Sequence, residues 1–473
     1  MQRVVEFSQQ EAGGLSQLGR RQFLLSAGLT GGGLLAFYGF ARRYGWIEKL
    51  ASPLKAAGYG PLAAAKTNNT GETLLALPQD FQYTVLGKTG TQMFDTSPTP
   101  AAHDGMAAFS VNNQLRLVRN HEVNIRIGNA GSAVGPNAYD PLAAGGTTTL
   151  IIDPKTHEVV RDFVSLSGTL LNCAGGATPW NSWISCEETA LGRAKVKNSD
   201  GKDEGGFEKG HGYCFEVSAA ADEAVTPVPL NAMGRFVHEA VAVDSQSGIV
   251  YLTEDRPTAG FYRFIPRQQG QLAAGGRLQM LAIQNQPGFD TRTRQKSGTP
   301  LPAMWVDIRN PDPAEAELDD LAVYKQGIHL GAATFSRLEG CFYGNGAVYF
   351  TSTDGGDHSL GQVWEYVPFG KDQGHLTLLF EPTDASILNM PDNICLAGRN
   401  LLICEDNKMK TYLRVLTPRG QVFDLAKNIA PGHEIEEFAG VTFSPDGQTL
   451  FLNLQVPGMT FAIWGPWERV QSA

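Results

Sequence analysis

The chain has 473 residues, of which 42% are hydrophobic and 18% charged, with 54 glycines and 26 prolines. This length and this abundance of turn-forming residues predict a large all-β protein built from many short strands. The formal net charge is −10, and because the first 55 residues hold seven basic and three acidic residues, the remainder carries −14. Such an acidic body argues against a nucleic-acid partner and favours a protein that gathers cations.

The N-terminal segment has the pattern of an export signal. Arg20 and Arg21 precede an apolar, glycine-rich stretch that ends at a second arginine pair, Arg42 and Arg43. We therefore predict that residues 1–45 form a twin-arginine signal segment, recognised by the twin-arginine export machinery. The rest of the chain would then be periplasmic or secreted, or membrane-anchored if the signal is not cleaved.

The body of the chain is a repeat. Residues 46–75, rich in alanine, glycine, asparagine and threonine, are interpreted as a linker, and residues 76–473 as one domain. A unit recurs six times in this domain: an apolar strand with a small or acidic start, a turn, and a second strand with a polar or acidic end. These second strands span 115–122, 183–188, 248–255, 348–354, 401–406 and 450–453. A third strand follows each of them.

Repeated units of this kind predict a six-bladed β-propeller, here a monomer. The early strand 81–86 is expected to complete the last blade, which leaves no free sheet edge between the termini. The segment from about 267 to 334 is longer than a blade requires and includes a helical pattern. We therefore expect one loop or helix insertion there, on one face of the propeller.

Propeller geometry brings acids from different blades together. The innermost strand starts beside the end of the second strand, so both acidic ends share one mouth of the central channel. The carboxylates collected in this way are Asp104, Glu122, Glu187, Glu239, Glu254, Glu339, Asp392, Glu405 and Asp406. Carboxylates at close range raise one another's pKa, and bound cations relieve this repulsion. For any single acid, the alternative is a turn cap or an ion pair with an arginine.

Cys186 follows an apolar strand and directly precedes Glu187 and a second glutamate. A thiolate suits iron, zinc or copper, whereas carboxylates suit calcium, magnesium or manganese, so this stretch could hold unlike metals. The alternative is a semi-buried thiol beside a solvated face. The six cysteines would also permit three disulfides in an oxidising compartment, for example Cys173 with Cys186, or Cys395 with Cys404.

One base stands out among these acids. Strand alternation places Arg337 and Glu339 on the same side, both directed at the mouth. A guanidinium beside a metal-binding carboxylate can clamp the oxygens of a phosphoryl group. As an isolated feature, the two residues would be an ordinary ion pair.

Eight short stretches together form a distinctive pattern: Asp104-Gly105-Met106, Arg119-Asn120-His121-Glu122, Cys186-Glu187-Glu188, Gly234-Arg235-Phe236-Val237-His238-Glu239, Thr253-Glu254-Asp255, Arg337-Leu338-Glu339-Gly340, Pro391-Asp392-Asn393 and Cys404-Glu405-Asp406. In these stretches, and from about Leu77 to the C-terminus, the sequence resembles the PhoX-type alkaline phosphatase family. The resemblance implies a propeller with a mixed cluster of ferric iron and calcium. It also implies hydrolysis of small phosphate monoesters outside the cytoplasm.

The resemblance assigns roles by position. Cys186 would be the iron ligand, and Glu239 and Glu339 would be carboxylate ligands. Calcium or a shared metal would be held by further carboxylates: Glu122, Glu187, Glu254, Asp392 and Glu405. Arg337 would bind phosphate and, with Asn120, would form the catalytic set.

Two other functions are compatible with the sequence. In a lactonase or phosphotriesterase, calcium would polarise a carbonyl or phosphoryl oxygen, with a carboxylate, His121 or His238 as the base. A non-catalytic propeller would bind calcium structurally and partners on its faces. Arg337 and Cys186 distinguish the phosphatase, because structural calcium requires neither of them.

Overall fold

In the computed structural model of the protein, residues 58–468 are described, except 125, 199 and 371. The expected signal segment and the first part of the expected linker lie outside the described residues. The described part of the chain contains 28 strands, three short 3-10 helices and one α-helix, α1 (Ala322–His329). No helix in this part combines the length and the apolar character needed to cross a bilayer.

The first strands lead into a complete antiparallel sheet. They are β1 (Ala63–Ala65), β2 (Leu75–Leu77), β3 (Gln82–Lys88), β4 (His103–Val111), β5 (Gln114–His121), β6 (Gly145–Ile152) and β7 (Val159–Thr169). Strands β4 to β7 pair in sequence order. Asn112 and Asn113 have φ angles of 52° and 62°, which suit the tight type I′ turn between β4 and β5. β1 lies within the segment expected to be a linker.

The middle of the chain forms one small and one extended sheet. Its strands are β8 (Asn172–Ala177), β9 (Ser182–Glu187), β10 (Lys195–Lys197), β11 (Asp203–Gly205), β12 (Cys214–Ser218), β13 (His238–Val243), β14 (Val250–Glu254), β15 (Phe261–Pro266), β16 (Gly276–Ile283) and β17 (Pro300–Asp307). β8, β9 and β12 make a three-stranded sheet, and β10 and β11 form a hairpin between β9 and β12. β13 to β17 pair in sequence order.

The last third of the chain supplies the remaining sheets. Its strands are β18 (Leu338–Gly344), β19 (Ala347–Ser352), β20 (Gln362–Phe369), β21 (Gln373–Phe380), β22 (Pro391–Ala397), β23 (Asn400–Glu405), β24 (Tyr412–Leu416), β25 (Val422–Asn428), β26 (Phe438–Phe443), β27 (Thr449–Leu454) and β28 (Met459–Trp464). β21 also pairs with β17, so β13 to β21 form one nine-stranded sheet. β22 to β25 continue through β2 to β1.

The last sheet is completed by a strand from the start of the described chain. β26, β27 and β28 pair in order, and β3 pairs antiparallel with β28, with Phe461 opposite Val85. This pairing confirms the expectation that strand 81–86 completes the last sheet. It also joins β3 to the C-terminal strand β28 within one sheet.

Six strands form a closed circuit at the centre of the fold. β4 packs beside β8, β8 beside β13, β13 beside β18, β18 beside β22, β22 beside β26, and β26 beside β4. We call these the inner strands. They line a cavity of about 290 Å³. The all-β, propeller-like arrangement expected from the sequence is therefore confirmed.

Aromatic side chains pack between strands of the nine-stranded sheet. Phe261 stacks on Phe350 with ring centroids 4.2 Å apart, and Trp305 meets Tyr366 edge to face at 5.4 Å. The Trp305 indole N–H also donates a hydrogen bond to the Tyr366 hydroxyl at 2.9 Å. Such pairs contribute roughly 1 kcal/mol each beyond the area they bury, so they stabilise the sheet that carries the inner strands β13 and β18.

The segment 267–334 contains β16, β17, two 3-10 helices at Leu272–Ala274 and Ala314–Glu317, and helix α1. α1 packs its buried face onto the sheet, where Gly327 lies against Met280. A Cβ atom at Gly327 would fall 2.2 Å from Met280 Sδ, so only glycine allows this close approach.

Candidate metal centre

Every inner strand carries a β-bulge close to its start. The ladder register shifts between His103 and Met106, Asn172 and Gly175, His238 and Val241, Leu338 and Cys341, Pro391 and Ile394, and Ala439 and Thr442. A bulge removes residues from regular pairing and re-aims their side chains. The first bulge residue of five strands is an acid or a thiol: Asp104, Cys173, Glu239, Glu339 and Asp392. We call these five the inner row.

A second set of acids follows the strands that pair with the inner strands. Each acid is the first residue after the strand end in four sheets: Glu122, Glu188, Asp255 and Asp406. We call these four the outer row. Each of these strands ends opposite the start of its inner strand, as in the pairing of His103 with His121, so both rows lie at the same end of the sheets.

The two rows together form what we call the acidic cluster. Three groups within it bring their ligand atoms within 4.8 Å of one another: Asp104 with Glu122 and Cys173, Cys173 with Glu188 and Glu239, and Glu239 with Glu339 and Asp392. Cys173 belongs to the first two groups and Glu239 to the last two. The groups therefore form a continuous series, in which a thiol and a carboxylate are the shared members.

The Cys173 thiol lies among carboxylates. Its Sγ is 3.1 Å from Glu239 Oε1 and 3.8 Å from Asp104 Oδ2. Gln455 also donates from Nε2 to Asp104 Oδ2 at 3.0 Å and to Glu122 Oε2 at 2.6 Å. A soft donor surrounded by hard oxygen donors is the set that would suit unlike metals.

Burial and mutual repulsion make these groups hard to ionise without cations. Burial raises the pKa of Asp104 to about 6. Burial first, and then the charge of a neighbouring carboxylate, raises the pKa well above its usual value in five further acids: Glu122, Glu188, Glu239, Glu339 and Asp392. Bound cations would reverse these shifts by favouring the carboxylate form.

Two carboxylate oxygens of the cluster lack a hydrogen-bond partner among the described residues: Asp406 Oδ1, which has Lys408 Nζ at 3.7 Å, and Glu239 Oε2. A buried carboxylate oxygen without a partner is costly, and a metal ion would satisfy it. The donor set and Glu239 Oε2 therefore fit a metal cluster that combines calcium with a thiolate-binding ion.

Arg337 stands directly beside the cluster. Its Nη2 donates to Glu339 Oε1 at 2.7 Å, its Nε donates to Asp255 Oδ1 at 3.1 Å, and its Nη1 lies 3.9 Å from Asp406 Oδ2. Burial opposes its charge, but Glu339 and Asp255 raise the pKa of the guanidinium. Its φ angle of 40° is unusual for a residue other than glycine. Arg337 is therefore a fixed cation at the edge of the acids.

Three of the carboxylates expected from the sequence point elsewhere. Glu187 accepts hydrogen bonds from His211 Nδ1 at 2.7 Å and from the backbone N–H groups of Leu170, Gly212 and Tyr213. Glu254 accepts from the Gly260 backbone N–H at 2.7 Å and the Tyr262 hydroxyl at 2.9 Å. Glu405 accepts from the Asn389 backbone N–H at 2.9 Å and lies 3.0 Å from Arg414 Nε.

Strand alternation explains this placement. Glu187, Glu254 and Glu405 are the last residues of their strands, and each immediately precedes an outer-row acid. Successive side chains of a strand point to opposite faces, so consecutive acids cannot both face the cluster. The structure therefore brings together Glu122, Glu239, Glu339 and Asp392 from the expected set, but not these three.

Cys186 also lies apart from the three groups. Its Sγ is 3.6 Å from the Sγ of Cys214, which faces it across β9 and β12, and Cys214 Sγ is 3.5 Å from His238 Nδ1. Burial raises the pKa of Cys186 well above its usual value. All six cysteines are free thiols, and the thiol that shares the acidic cluster is Cys173.

Asn120, expected in the catalytic set, is buried behind the inner row. Its Nδ2 donates to the carbonyls of Cys173 and Ala174, and its Oδ1 accepts from Trp183 Nε1 and Ser185 Oγ. The Nδ2 group of Asn120 is therefore used on the bulge that carries Cys173.

Sequence reasoning did not assign several cluster residues to the site. The ligands expected from the sequence did not include Cys173, Glu188 or Asp255. Asp104 and Asp406 were expected at the mouth of the channel but were given no ligand role. Glu437 was also missed; burial and then a hydrogen bond with Asp406 raise its pKa well above its usual value. The available signal was the third position of the recurring triplets at the strand ends, which are Asn-His-Glu, Cys-Glu-Glu, Thr-Glu-Asp and Cys-Glu-Asp.

The fold and the cluster define a propeller-like protein with buried groups that could bind metal ions at its centre. The chain belongs to the alkaline phosphatase PhoX family, whose sequence pattern matches residues 57–458. It is thus a phosphatase, and this excludes the alternative of a non-catalytic propeller.

The structure resembles that of Pseudomonas fluorescens PhoX in complex with vanadate, a transition-state analogue. The TM-score is 0.63 at 17% identity, over 86% of this chain and 97% of that chain. A gluconolactonase from Xanthomonas campestris has a TM-score of 0.40 at 13% identity, over 86% of this chain and 98% of that chain. No curated protein sequence matches the chain significantly.

Proposed function

We propose that this protein hydrolyses small phosphate monoesters outside the cytoplasm with a cluster of ferric iron and calcium held by the acidic cluster. The observation that carries the proposal is the continuous series of three ligand groups, joined through Cys173 and Glu239. Bound cations would explain how so many mutually repelling carboxylates can be buried in one site.

The proposed ligand set combines expected and newly identified residues. It retains Glu122, Glu239, Glu339 and Asp392 from the sequence and adds the inner-row and outer-row residues beside them. Cys173 takes the place of Cys186 as the iron ligand, because Cys173 Sγ lies beside two cluster carboxylates. Glu187, Glu254 and Glu405 become supports of the surrounding loops.

Arg337 is proposed to bind and orient the phosphoryl group. Nη1 is its least engaged nitrogen and can reach a phosphoryl oxygen, while Asp255 and Glu339 hold the other side of the guanidinium. When bound, the iron and calcium ions would supply positive charge for the phosphoryl oxygens. The fixed guanidinium would add a hydrogen bond that strengthens as charge develops on those oxygens.

The finer architecture is part of the same proposal. The six inner strands, each starting a meander of antiparallel strands, support a six-bladed propeller. Residues 1–45 are proposed as the twin-arginine signal, 46–75 as a connecting segment and 76–473 as the propeller, with the insertion at about 267–334. The protein would act as a monomer in the periplasm or as a secreted protein, without a nucleic-acid partner.

An aryl phosphate assay joined to elemental analysis tests this proposal. Purified full-length protein should release phosphate at alkaline pH and contain both iron and calcium. Chelation of calcium should abolish the activity, and readdition of calcium should restore it. Protein with both metals but no phosphate release would contradict the proposed reaction, and active protein without iron would contradict the proposed cluster.

A further inference from the structure

Four strands that pair with an inner strand send a polar side chain to the bulge of the next inner strand of the circuit. These side chains are Asn120, Thr253, Thr351 and Asn453, and each is the second-to-last residue of its strand. Positions two apart share a face of the strand. Each side chain therefore lies on the same face of its strand as the residue directly after the strand end, which is the outer-row position. It stands two residues further from that end.

Two of these contacts come from amide side chains. Asn120 Nδ2 donates to the Cys173 carbonyl at 3.0 Å and to the Ala174 carbonyl at 2.7 Å. Asn453 Nδ2 donates to the Asp104 carbonyl. Both amides thus hold the main chain of an inner-row residue from the adjacent sheet.

The other two contacts come from hydroxyls. Thr253 Oγ1 donates to the Glu339 carbonyl at 2.7 Å, and Thr351 Oγ1 donates to the Asp392 carbonyl at 2.8 Å. Thr253 also lies within hydrogen-bond distance of the carbonyl of Ala240 in β13, the inner strand with which β14 pairs. Four of the five inner-row residues are therefore held through their main-chain carbonyls.

The bulges explain why these donors are needed. The register shifts skip the inner-row residues, so their carbonyls lack the regular ladder pairing. A buried carbonyl without a donor costs roughly 1–3 kcal/mol, which the side-chain donors avoid. The same hydrogen bonds fix the main chain from which each ligand side chain projects.

We propose that Asn120, Thr253, Thr351 and Asn453 are positioning residues that hold the inner row in the geometry needed to bind cations. This inference rests on the proposed metal cluster and concerns residues that do not themselves touch a metal. The corresponding positions of the two remaining strands, β9 and β23, are Cys186 and Cys404, whose thiols are weaker donors. The Cys186 thiol contacts Cys214 instead of a neighbouring bulge.

Thr351 gives the sharpest test, because its hydroxyl has one acceptor in the inner row. Thr351→Val keeps the volume and removes the donor, whereas Thr351→Ser keeps the donor. The matched control is Thr149→Val, because Thr149 is equally buried and its hydroxyl has no hydrogen-bond partner among the described residues. Purified full-length proteins are dialysed at fixed free calcium concentrations, and bound calcium is measured by elemental analysis.

We expect Thr351→Val to weaken calcium binding about 10-fold or more, as for other groups that orient metal ligands. Thr351→Ser should restore most of the affinity, and Thr149→Val should bind calcium like the wild type. Equal affinity of Thr351→Val and wild type, with or without a lower melting temperature, would overturn the positioning role. Wild-type protein that binds no calcium would instead overturn the metal proposal, and the positioning role with it.

Discussion

The Cys173 thiol lies 3.1 Å from Glu239 Oε1, and these two residues link the three ligand groups of the acidic cluster. Each residue occupies the bulge of its own inner strand, 66 positions apart in the chain. The contact therefore depends on the neighbouring placement of β8 and β13. It makes Cys173 the thiol to examine first for metal binding.

Replacing Cys173 with Ser should remove iron and the visible absorption of an iron–thiolate bond. A serine hydroxyl is a much poorer ligand for ferric iron than a thiolate. Cys186→Ser is the matched control, because Cys186 is equally a strand thiol but contacts Cys214. Metal analysis and visible spectra of both variants decide between the two cysteines. Iron loss in Cys186→Ser alone would restore the assignment made from the sequence.

Glu187 and Glu188 are adjacent carboxylates that should have opposite effects. Glu187→Gln should destabilise the fold by about 3 kcal/mol, because it breaks a buried charged pair with His211. Glu188→Gln should lower calcium affinity. In the presence of a chelator it should leave the free energy of unfolding almost unchanged or raise it, because it relieves repulsion between Glu188 and the neighbouring carboxylates. Denaturant unfolding and calcium analysis on both variants measure the difference. Calcium loss in Glu187→Gln with an intact fold would contradict the strand-alternation argument.

Sequence periodicity was sufficient for the propeller-like fold and for the closing pair of β3 and β28, because apolar strands and turn residues recur regularly. It also located the ends of the strands where the acids gather. Periodicity was insufficient to determine which face of its strand each acid occupies. A shift of one residue along the strand decides whether a carboxylate points into the acidic cluster or toward a neighbouring loop. Cys173 was missed because a bulge, which breaks the alternation, turns it toward the acids.

The His211 imidazolium should make stability depend on pH in the alkaline range. Burial lowers its pKa, but Glu187 and Asp140 outweigh this and raise the value to about 9, above the usual 6.5. Stabilisation from the charged form is therefore complete below about pH 6.5 and is lost as pH rises through about 9. The wild-type melting temperature should fall more steeply over this range than that of His211→Gln. Parallel profiles for the two proteins would show that His211 is not charged in the fold.

The Arg337 guanidinium gives the prediction that bears most directly on the reaction. Arg337→Ala should lower kcat/KM about 100-fold, since loss of a charge-assisted donor to the transition state costs about 3 kcal/mol. Arg337→Lys should recover only part of this rate, because an ammonium cannot reproduce the planar, two-pronged geometry of a guanidinium. Iron and calcium contents should stay at wild-type values, because Arg337 is not a ligand.

The kinetics and the metal content of the Arg337 variants must be read together. Parallel loss of metal and activity in Arg337→Ala would make Arg337 a support for Glu339, to which its Nη2 donates at 2.7 Å. Unchanged phosphate release with intact metals would remove it from phosphate binding altogether. A rate loss with intact metals, partly recovered by lysine, is the result expected if the guanidinium holds the phosphoryl group during its transfer.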